Sequence, residues 1–139
     1  MKKFSLNSLF GLESGSTLQG LEVAYHTIGH PNSDQSNVVW ICHALTANSN
    51  PEEWWNGLVG ENKFYNPNEH YIICADVIGS CYGNTGPTSI HIGIHTITCG
   101  TIWNARNRWF HSCTRMKSIR LIGSAWGGFQ AMEWAIQRS

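Results

Sequence analysis

The sequence lacks both an excess of charge of one sign and a long apolar run. Nine basic residues balance nine acidic ones, so the weak net field does not favour nucleic acid as a partner. Nowhere do roughly eighteen apolar residues run together, as a transmembrane helix requires. The start, MKKFSLNSLFGLESG, has no apolar stretch of signal-peptide length. These absences predict a cytoplasmic protein with no membrane partner.

The cysteines and histidines lack the spacing of a metal centre. The five cysteines are widely spread, with no Cys-x-x-Cys pair, which excludes the usual zinc and redox motifs. Cys42 and Cys74 stand inside apolar runs, where a free cysteine packs as a small core residue. His91 and His95 have the i, i+4 spacing of a metal pair on a helix, but the β-branched residues and glycine around them disfavour that helix. We therefore expect no metal ion.

Three short apolar runs are the strongest structural signal in the sequence. They are NVVWICHA (37–44), HYIICADV (70–77) and SIRLIGS (118–124), and such runs are typical of strands covered on both faces by helices. Residues 21–29 alternate as an antiparallel strand does, after a glycine-containing segment that suits a hairpin turn. The pattern predicts one α/β domain over 1–139, with a mostly parallel sheet and an amino-terminal antiparallel hairpin.

A helix is predicted directly after the third apolar run. Phe129, Met132, Ala135 and Ile136 recur at helical spacing. The pair Gly127-Gly128 at the start of this segment permits a close approach between helix and strand.

Two polar loops follow the first two predicted strands. In open parallel sheets, ligands bind beyond the carboxyl ends of the strands, so HALTANSN (43–50) and DVIGSCYGNTGPTS (76–89) are candidate site loops. Turn formation and capping of the segment that begins at Pro51 explain the residues of the first loop equally well. The second loop has no Gly-Lys-Ser/Thr and no Gly-x-Gly-x-x-Gly between strand and helix, which excludes a phosphate cradle.

The segment LIGSAWGGFQAMEWAI (121–136) has the layout of a nucleophile elbow. In the pattern Gly-x-Ser-x-Gly, the central residue occupies a strained turn between strand and helix. In this frame Gly123 and Gly127 flank Ala125, so a methyl group stands at the nucleophile position. The alternative is a slip of one residue that brings Ser124 into the turn, which would displace the start of the helix.

Four segments resemble a known family in order and spacing. VAYHTIG, VVWICHALTANSNPEEWWNGLVG, YIICADVIGSCYGNTGP and GGFQAMEWAI are similar to the early segments of homoserine O-acetyltransferases, acyltransferases of the α/β-hydrolase fold. The resemblance covers most of 10–90 and 118–139. It implies an incomplete α/β-hydrolase fold, acetyl-CoA as acyl donor with no bound cofactor, and L-homoserine as acceptor in methionine biosynthesis. Succinyl-CoA as donor and serine as acceptor stay open, and the full-length family often forms homodimers.

The resemblance also implies roles for individual positions. The backbone N–H groups of Leu45 and Trp126 would form the oxyanion hole. The side chains that would line the substrate site are Thr46, Asn48, Ser80 and Tyr82.

The catalytic groups of the family are not all found in this sequence. In α/β-hydrolases the acid and the histidine follow the elbow in the chain, whereas all seven histidines here precede Ala125. We therefore expect a chain truncated before the catalytic Asp and His and inactive as it stands. The alternative is a non-catalytic fragment or binding module that needs a separate carboxyl-terminal partner.

Residues 91–116 depart from the family pattern. They lack its Thr-x-Arg-Asp signature and a clear apolar stripe. With one choice of codons, a shifted frame of 98–106 reads Met-Arg-Asp-Asn-Leu-Glu-Cys-Gln-Lys, which resembles the family's helix. We hypothesise that 91–116 is out-of-frame coding, which the nucleotide sequence tests.

Overall fold

The computed structural model describes residues 1–86, Thr101, Asn104 and 119–137. The predictions for 91–116, with His91, His95 and the frame hypothesis, lie outside the described residues. The elements in chain order are β1 (Lys2–Leu6), β2 (Phe10–Gly11), β3 (Thr17–Leu18), β4 (Leu21–Ile28), β5 (Val38–Cys42), α1 (Pro51–Trp54), β6 (Tyr71–Ala75), β7 (Ile119–Gly123) and α2 (Trp126–Gln137).

Five of the strands form one mixed sheet in the order β1-β4-β6-β5-β7. Strand β5 pairs in parallel with both β6 and β7. Strand β4 pairs antiparallel with β1 on one side and with β6 on the other. Four of the five strands therefore run in one direction, which confirms the predicted mostly parallel sheet.

The amino-terminal region contains two antiparallel arrangements. The glycine-containing segment predicted as a hairpin turn holds β3, which pairs with β2 in a small separate hairpin. The alternating strand β4 pairs instead with β1 at the edge of the main sheet, with Lys2 opposite Tyr25. The hairpin is confirmed, and β1 is an additional strand that the apolar pattern did not reveal.

Two of the three predicted buried strands, β5 and β6, are buried because both faces of the sheet are covered there. The third, β7, was wrongly predicted as buried: none of its five residues is fully buried, and it lies at the end of the described strand order. All five residues of β5 and the last four of β6 are buried. Alternate residues point to opposite faces, so Trp40 belongs to one core cluster and Val39 to the other. Cys42 and Cys74 are fully buried, as their apolar surroundings predicted.

Helix α2 packs on the Trp40 face of the sheet. The Trp134 ring meets the Trp40 ring edge-on at a centroid distance of 4.8 Å, a favourable aromatic geometry. The buried residues of α2 are Gly127, Gln130 and Trp134. The predicted stripe of Phe129, Met132, Ala135 and Ile136 faces outward instead. The helix itself was predicted correctly, but periodicity alone could not show which of its two faces meets the sheet.

Candidate functional site at the carboxyl ends of three parallel strands

Three connections leave the same edge of the sheet. Strands β5, β6 and β7 are parallel, so the loops after Cys42 and Ala75 and the bend after Gly123 all start at their carboxyl ends. This is the edge at which open α/β sheets bind ligands.

The bend between β7 and α2 is centred on Ala125. Ala125 has a φ of +50°, in the left-handed region that a residue with a side chain occupies at a cost. The carbonyls of Ser124 and Ala125 accept the first hydrogen bonds of the helix, from Gly127 N at 2.9 Å and Gly128 N at 3.0 Å. These bonds set the frame of the bend, and the strained conformation falls on Ala125, one residue after Ser124.

The glycines on either side of the bend are required by close backbone contacts. A Cβ on Gly123 would overlap the carbonyl of Gly127, and a Cβ on Gly127 would overlap the carbonyl of Cys42. The start of α2 therefore lies directly on the end of β5. In this arrangement Gly123 and Gly127 occupy the two glycine positions of the elbow pattern, with Ala125 at its centre.

The two backbone groups assigned to an oxyanion hole have no acceptor in the part of the chain that the structure describes. Neither Leu45 N nor Trp126 N donates a hydrogen bond there. The Leu45 side chain is 72% exposed and Trp126 is the first residue of α2. Free N–H groups at a helix start and in an adjacent loop suit an oxyanion, and their convergence on one atom stays a prediction.

The 43–50 loop makes many of its own hydrogen bonds. The Asn48 side chain accepts from Asn50 N at 2.8 Å and donates to the Glu53 carboxylate at 3.1 Å, while the Asn48 carbonyl accepts from the Trp54 indole at 2.9 Å. Thr46 is exposed. Asn48 thus supports the turn as described, and its role in lining a substrate site stays a prediction.

A buried polar cluster lies beneath this loop. The Ser49 hydroxyl donates to Asp76 Oδ2 at 2.8 Å and lies 2.9 Å from His26 Nδ1. The His43 ring places Nε2 3.6 Å from Asp76 Oδ1, and its Nδ1 donates to the Ala44 carbonyl at 2.8 Å. His43, Ser49 and Asp76 are each 1% exposed. The cluster joins the loop after β5 to the loop after β6 and to β4.

The described part of the loop after β6 is hydrogen-bonded to β4. Asn84 accepts from Ala24 N, and the Thr85 hydroxyl accepts from Glu22 N at 2.7 Å. The Ser80 hydroxyl accepts from Asn84 at 3.2 Å, and Tyr82 is 43% exposed. The structure therefore ties Ser80 to the fold of its own loop and leaves Tyr82 at the surface.

His26 carries the clearest electrostatic perturbation near the site. Burial, followed by the positive charge of the amino terminus, lowers the pKa of His26, against smaller opposing effects of Glu53 and Ser49. Side-chain hydrogen bonds from Asn48 and Asn50 lower the pKa of the exposed Glu53. His26 also lines an open cleft of about 550 Å³, together with Lys2, His30, Glu52 and Tyr71 among others.

Several structurally important residues were not identified from the sequence. Asp76 was placed at the end of an apolar run and at the start of the 76–89 candidate loop, but no role was assigned to its carboxylate. Ser49 and His26 lie 23 residues apart, and no spacing rule connects them.

The described residues include no group of three or more His, Cys, Asp or Glu able to hold a metal ion. Among the helices that are described, none has both the length and the apolar character to cross a bilayer.

Comparison with known proteins supports the resemblance seen in the motifs. No protein-family model matches the chain. A curated homoserine O-acetyltransferase of Cyclobacterium marinum is 36% identical over 141 residues, covering 96% of this chain and 40% of the relative. The crystal structure of homoserine O-acetyltransferase from Staphylococcus aureus matches with a TM-score of 0.84 at 26% identity, covering 99% of this chain and 42% of that one.

The fold extends beyond that enzyme. An acetylester hydrolase from Corynebacterium glutamicum matches with a TM-score of 0.86 at 20% identity, covering 98% of this chain and 40% of that one, a likeness that concerns the fold alone. The chain spans about two fifths of the length of the relatives it matches. In both sequence and fold, the chain thus matches the amino-terminal part of homoserine O-acetyltransferases, with part of an α/β-hydrolase fold.

Proposed function

We propose that this chain supplies the amino-terminal part of an acyl-transfer site of the homoserine O-acetyltransferase type. Acetyl-CoA would be the acyl donor and L-homoserine the acceptor. The observation that carries the proposal is the strained bend at Ala125, enclosed by Gly123 and Gly127 and lying on the end of β5. A backbone of this kind holds a nucleophile in the α/β-hydrolase arrangement.

The chemistry of the family defines what the bend would do with a serine in place of Ala125. The serine oxygen would attack the thioester carbonyl while a histidine takes its proton, and the CoA thiol would leave with a proton as the acetyl-serine forms. The N–H groups of Leu45 and Trp126 would hold the negative oxygen of the intermediate. Ala125 has no oxygen to attack with, so we propose that the chain as it stands forms no acetyl-enzyme.

The surroundings of the bend complete the proposal. Thr46, Asn48, Ser80 and Tyr82 would line the substrate site, with Asn48 and Ser80 also shaping their loops. We further propose residues 1–139 as one part of a single domain, and a cytoplasmic location, which suits the free thiol of Cys81.

The outer face of α2 favours a binding role in an assembled domain. Phe129, Met132 and Ile136 are 60%, 56% and 68% exposed and lie along one side of the helix. Contiguous exposed apolar groups mark surfaces that bind further protein. We propose that the carboxyl-terminal part of such a domain packs here, whether in one chain or as a separate partner.

The proposal is tested by acetylation in the presence of a carboxyl-terminal part. The protein, its Ala125→Ser variant and its Ser124→Ala variant are each mixed with the corresponding part of the Cyclobacterium marinum relative and with acetyl-CoA. Intact-mass spectrometry then measures covalent acetylation. We expect acetylation of Ala125→Ser only, and its loss when L-homoserine is added as acceptor.

Two results would contradict the proposal. Acetylation of the unaltered protein that disappears in Ser124→Ala would identify Ser124 as the nucleophile. Absence of acetylation in Ala125→Ser, despite a complex with the partner detected by gel filtration, would show that the bend is not a working elbow.

A further inference from the structure

Within the part of the chain that the structure describes, the 43–50 loop is attached to the sheet on either side of its tip. Leu45 and Thr46 are exposed, and Ala47 N donates to the Ala44 carbonyl within the loop, at 3.0 Å. Before this tip, His43 is buried at the end of β5; after it, Ser49 is buried against Asp76.

The Ser49 hydroxyl is held from two directions. Its proton is donated to Asp76 Oδ2, so its contact with His26 Nδ1 requires the imidazole to donate. The hydroxyl thereby joins the loop to β6 through Asp76 and to β4 through His26. A hydrogen bond to a carboxylate is stronger than one between neutral groups, and this one is shielded from water.

Asp76 acts on both sides of the loop tip. One carboxylate oxygen accepts from Ser49, while the other faces the His43 ring, whose Nδ1 holds the Ala44 carbonyl. A single buried carboxylate thus lies against both anchors of the tip.

We propose that the Ser49 hydroxyl, held between Asp76 and His26, is a positioning group that fixes the 43–50 loop and so orients the N–H of Leu45. The significance of that N–H rests on the function proposed above, whereas the fixing of the loop does not. Two further hydrogen bonds hold the Asn48 carbonyl, one from the Trp54 indole at 2.9 Å and one from the Cys74 thiol at 4.0 Å. They come from the side of α1 and β6, whereas the hydrogen bond between Ser49 and His26 connects the loop to β4.

The experiment compares two buried hydroxyl groups. Ser49→Ala removes the hydroxyl of the cluster. Thr85→Ala is the matched control, because Thr85 is also buried and its hydroxyl also makes two hydrogen bonds, to Glu22 N at 2.7 Å and to the Gly20 carbonyl at 3.3 Å. Both variants should lose similar global stability, measured by urea unfolding.

Only Ser49→Ala should loosen the loop. We expect amide exchange at Ala47 to become about tenfold faster, the equivalent of losing one buried hydrogen bond locally. The ¹⁵N order parameter of Leu45 should fall toward the flexible range, below about 0.6. Exchange at Trp40 in β5 serves as the internal reference for global opening. Ser49→Thr, which keeps a hydroxyl, should restore slow exchange at Ala47.

Equal changes at Ala47 and Leu45 in Ser49→Ala and Thr85→Ala, after correction for global stability, would overturn the proposal. If Ser49→Ala fails to fold, His26→Ala is used instead, because it removes one of the two hydrogen bonds of the Ser49 hydroxyl. Amide exchange at Ala47 should then become about threefold faster. An unchanged exchange rate at Ala47 would also overturn the proposal. None of these measurements involves acetyl transfer. Failure of the proposed acyl-transfer function would be seen in the acetylation test by mass spectrometry, whereas failure of the present proposal would be seen in the exchange rates.

Discussion

Replacing Gly127 by alanine should destabilise the protein, and the same change at Gly128 should stabilise it. In a helix interior, alanine is favoured over glycine by about 1 kcal/mol. At Gly128 the added methyl would lie 3.6 Å from the Gly123 carbonyl, an ordinary contact, so a gain of about 1 kcal/mol remains. At Gly127 the methyl would overlap the carbonyls of Cys42 and His43. Those atoms belong to the backbone at the end of β5, so no side-chain rotation can relieve the overlap.

The magnitude at Gly127 follows from the cost of overpacking. Inserting a methyl group into a tight contact costs about 1–3 kcal/mol, and a backbone obstacle places this site at the upper end. After the propensity gain, a net loss of about 2 kcal/mol is expected, so the two variants should differ by about 3 kcal/mol. Tryptophan fluorescence during urea unfolding should show midpoints about 2 M apart, for a slope of about 1.5 kcal/mol/M. Stabilisation by both substitutions would refute the close contact of α2 with β5.

Two further predictions concern Ala125 and His26. Ala125→Gly should raise the free energy of unfolding by about 0.5–1 kcal/mol, because glycine takes the +50° φ without strain. The control Ala135→Gly, on the exposed face of α2, should lower the free energy of unfolding by about 1 kcal/mol. Thermal melting of both variants checks this, and destabilisation by Ala125→Gly would contradict it. Burial is the main cause of the lowered pKa of His26. As the pH falls, His26 is therefore protonated in the unfolded chain before it is protonated in the folded chain. The free energy of unfolding should decrease as the pH drops below about 6.5. Urea midpoints at about pH 7.5 and 5.5 should differ less in His26→Gln than in the unaltered protein, and equal differences would count against this assignment.

Much of the fold was predictable because buried strands require runs of apolar residues, which are visible in the sequence. The runs containing β5 and β6 are nearly continuous in apolar residues, as strands covered on both faces require, whereas the similar run of β7 forms a strand that is only partly buried. The predicted spans 37–44, 70–77 and 118–124 exceed the observed strands by one or two residues at each end. The position of the bend at Ala125 could also be read from Gly123 and Gly127, because their spacing reflects a local steric need.

The environment of the candidate site was less accessible to sequence reasoning. Asn48 and Ser80 were assigned to a substrate site from the resemblance, and the structure shows each in hydrogen bonds within its own loop. Ser49 and Asp76 lie in the two candidate loops, 43–50 and 76–89, but the hydrogen bond between them was not predicted, since no sequence spacing connects the two residues.

The sequence by itself determined the positions of the buried strands, the helix after β7 and the absence of a hydroxyl at the bend, because each depends on residues close together in the chain. Only the tertiary structure decided the pairing of β1 with β4, the face of α2 that meets the sheet, and the cluster of His26, Ser49 and Asp76. These features depend on contacts between residues far apart in sequence, and such contacts are selected by the packing of the whole domain rather than by any local pattern.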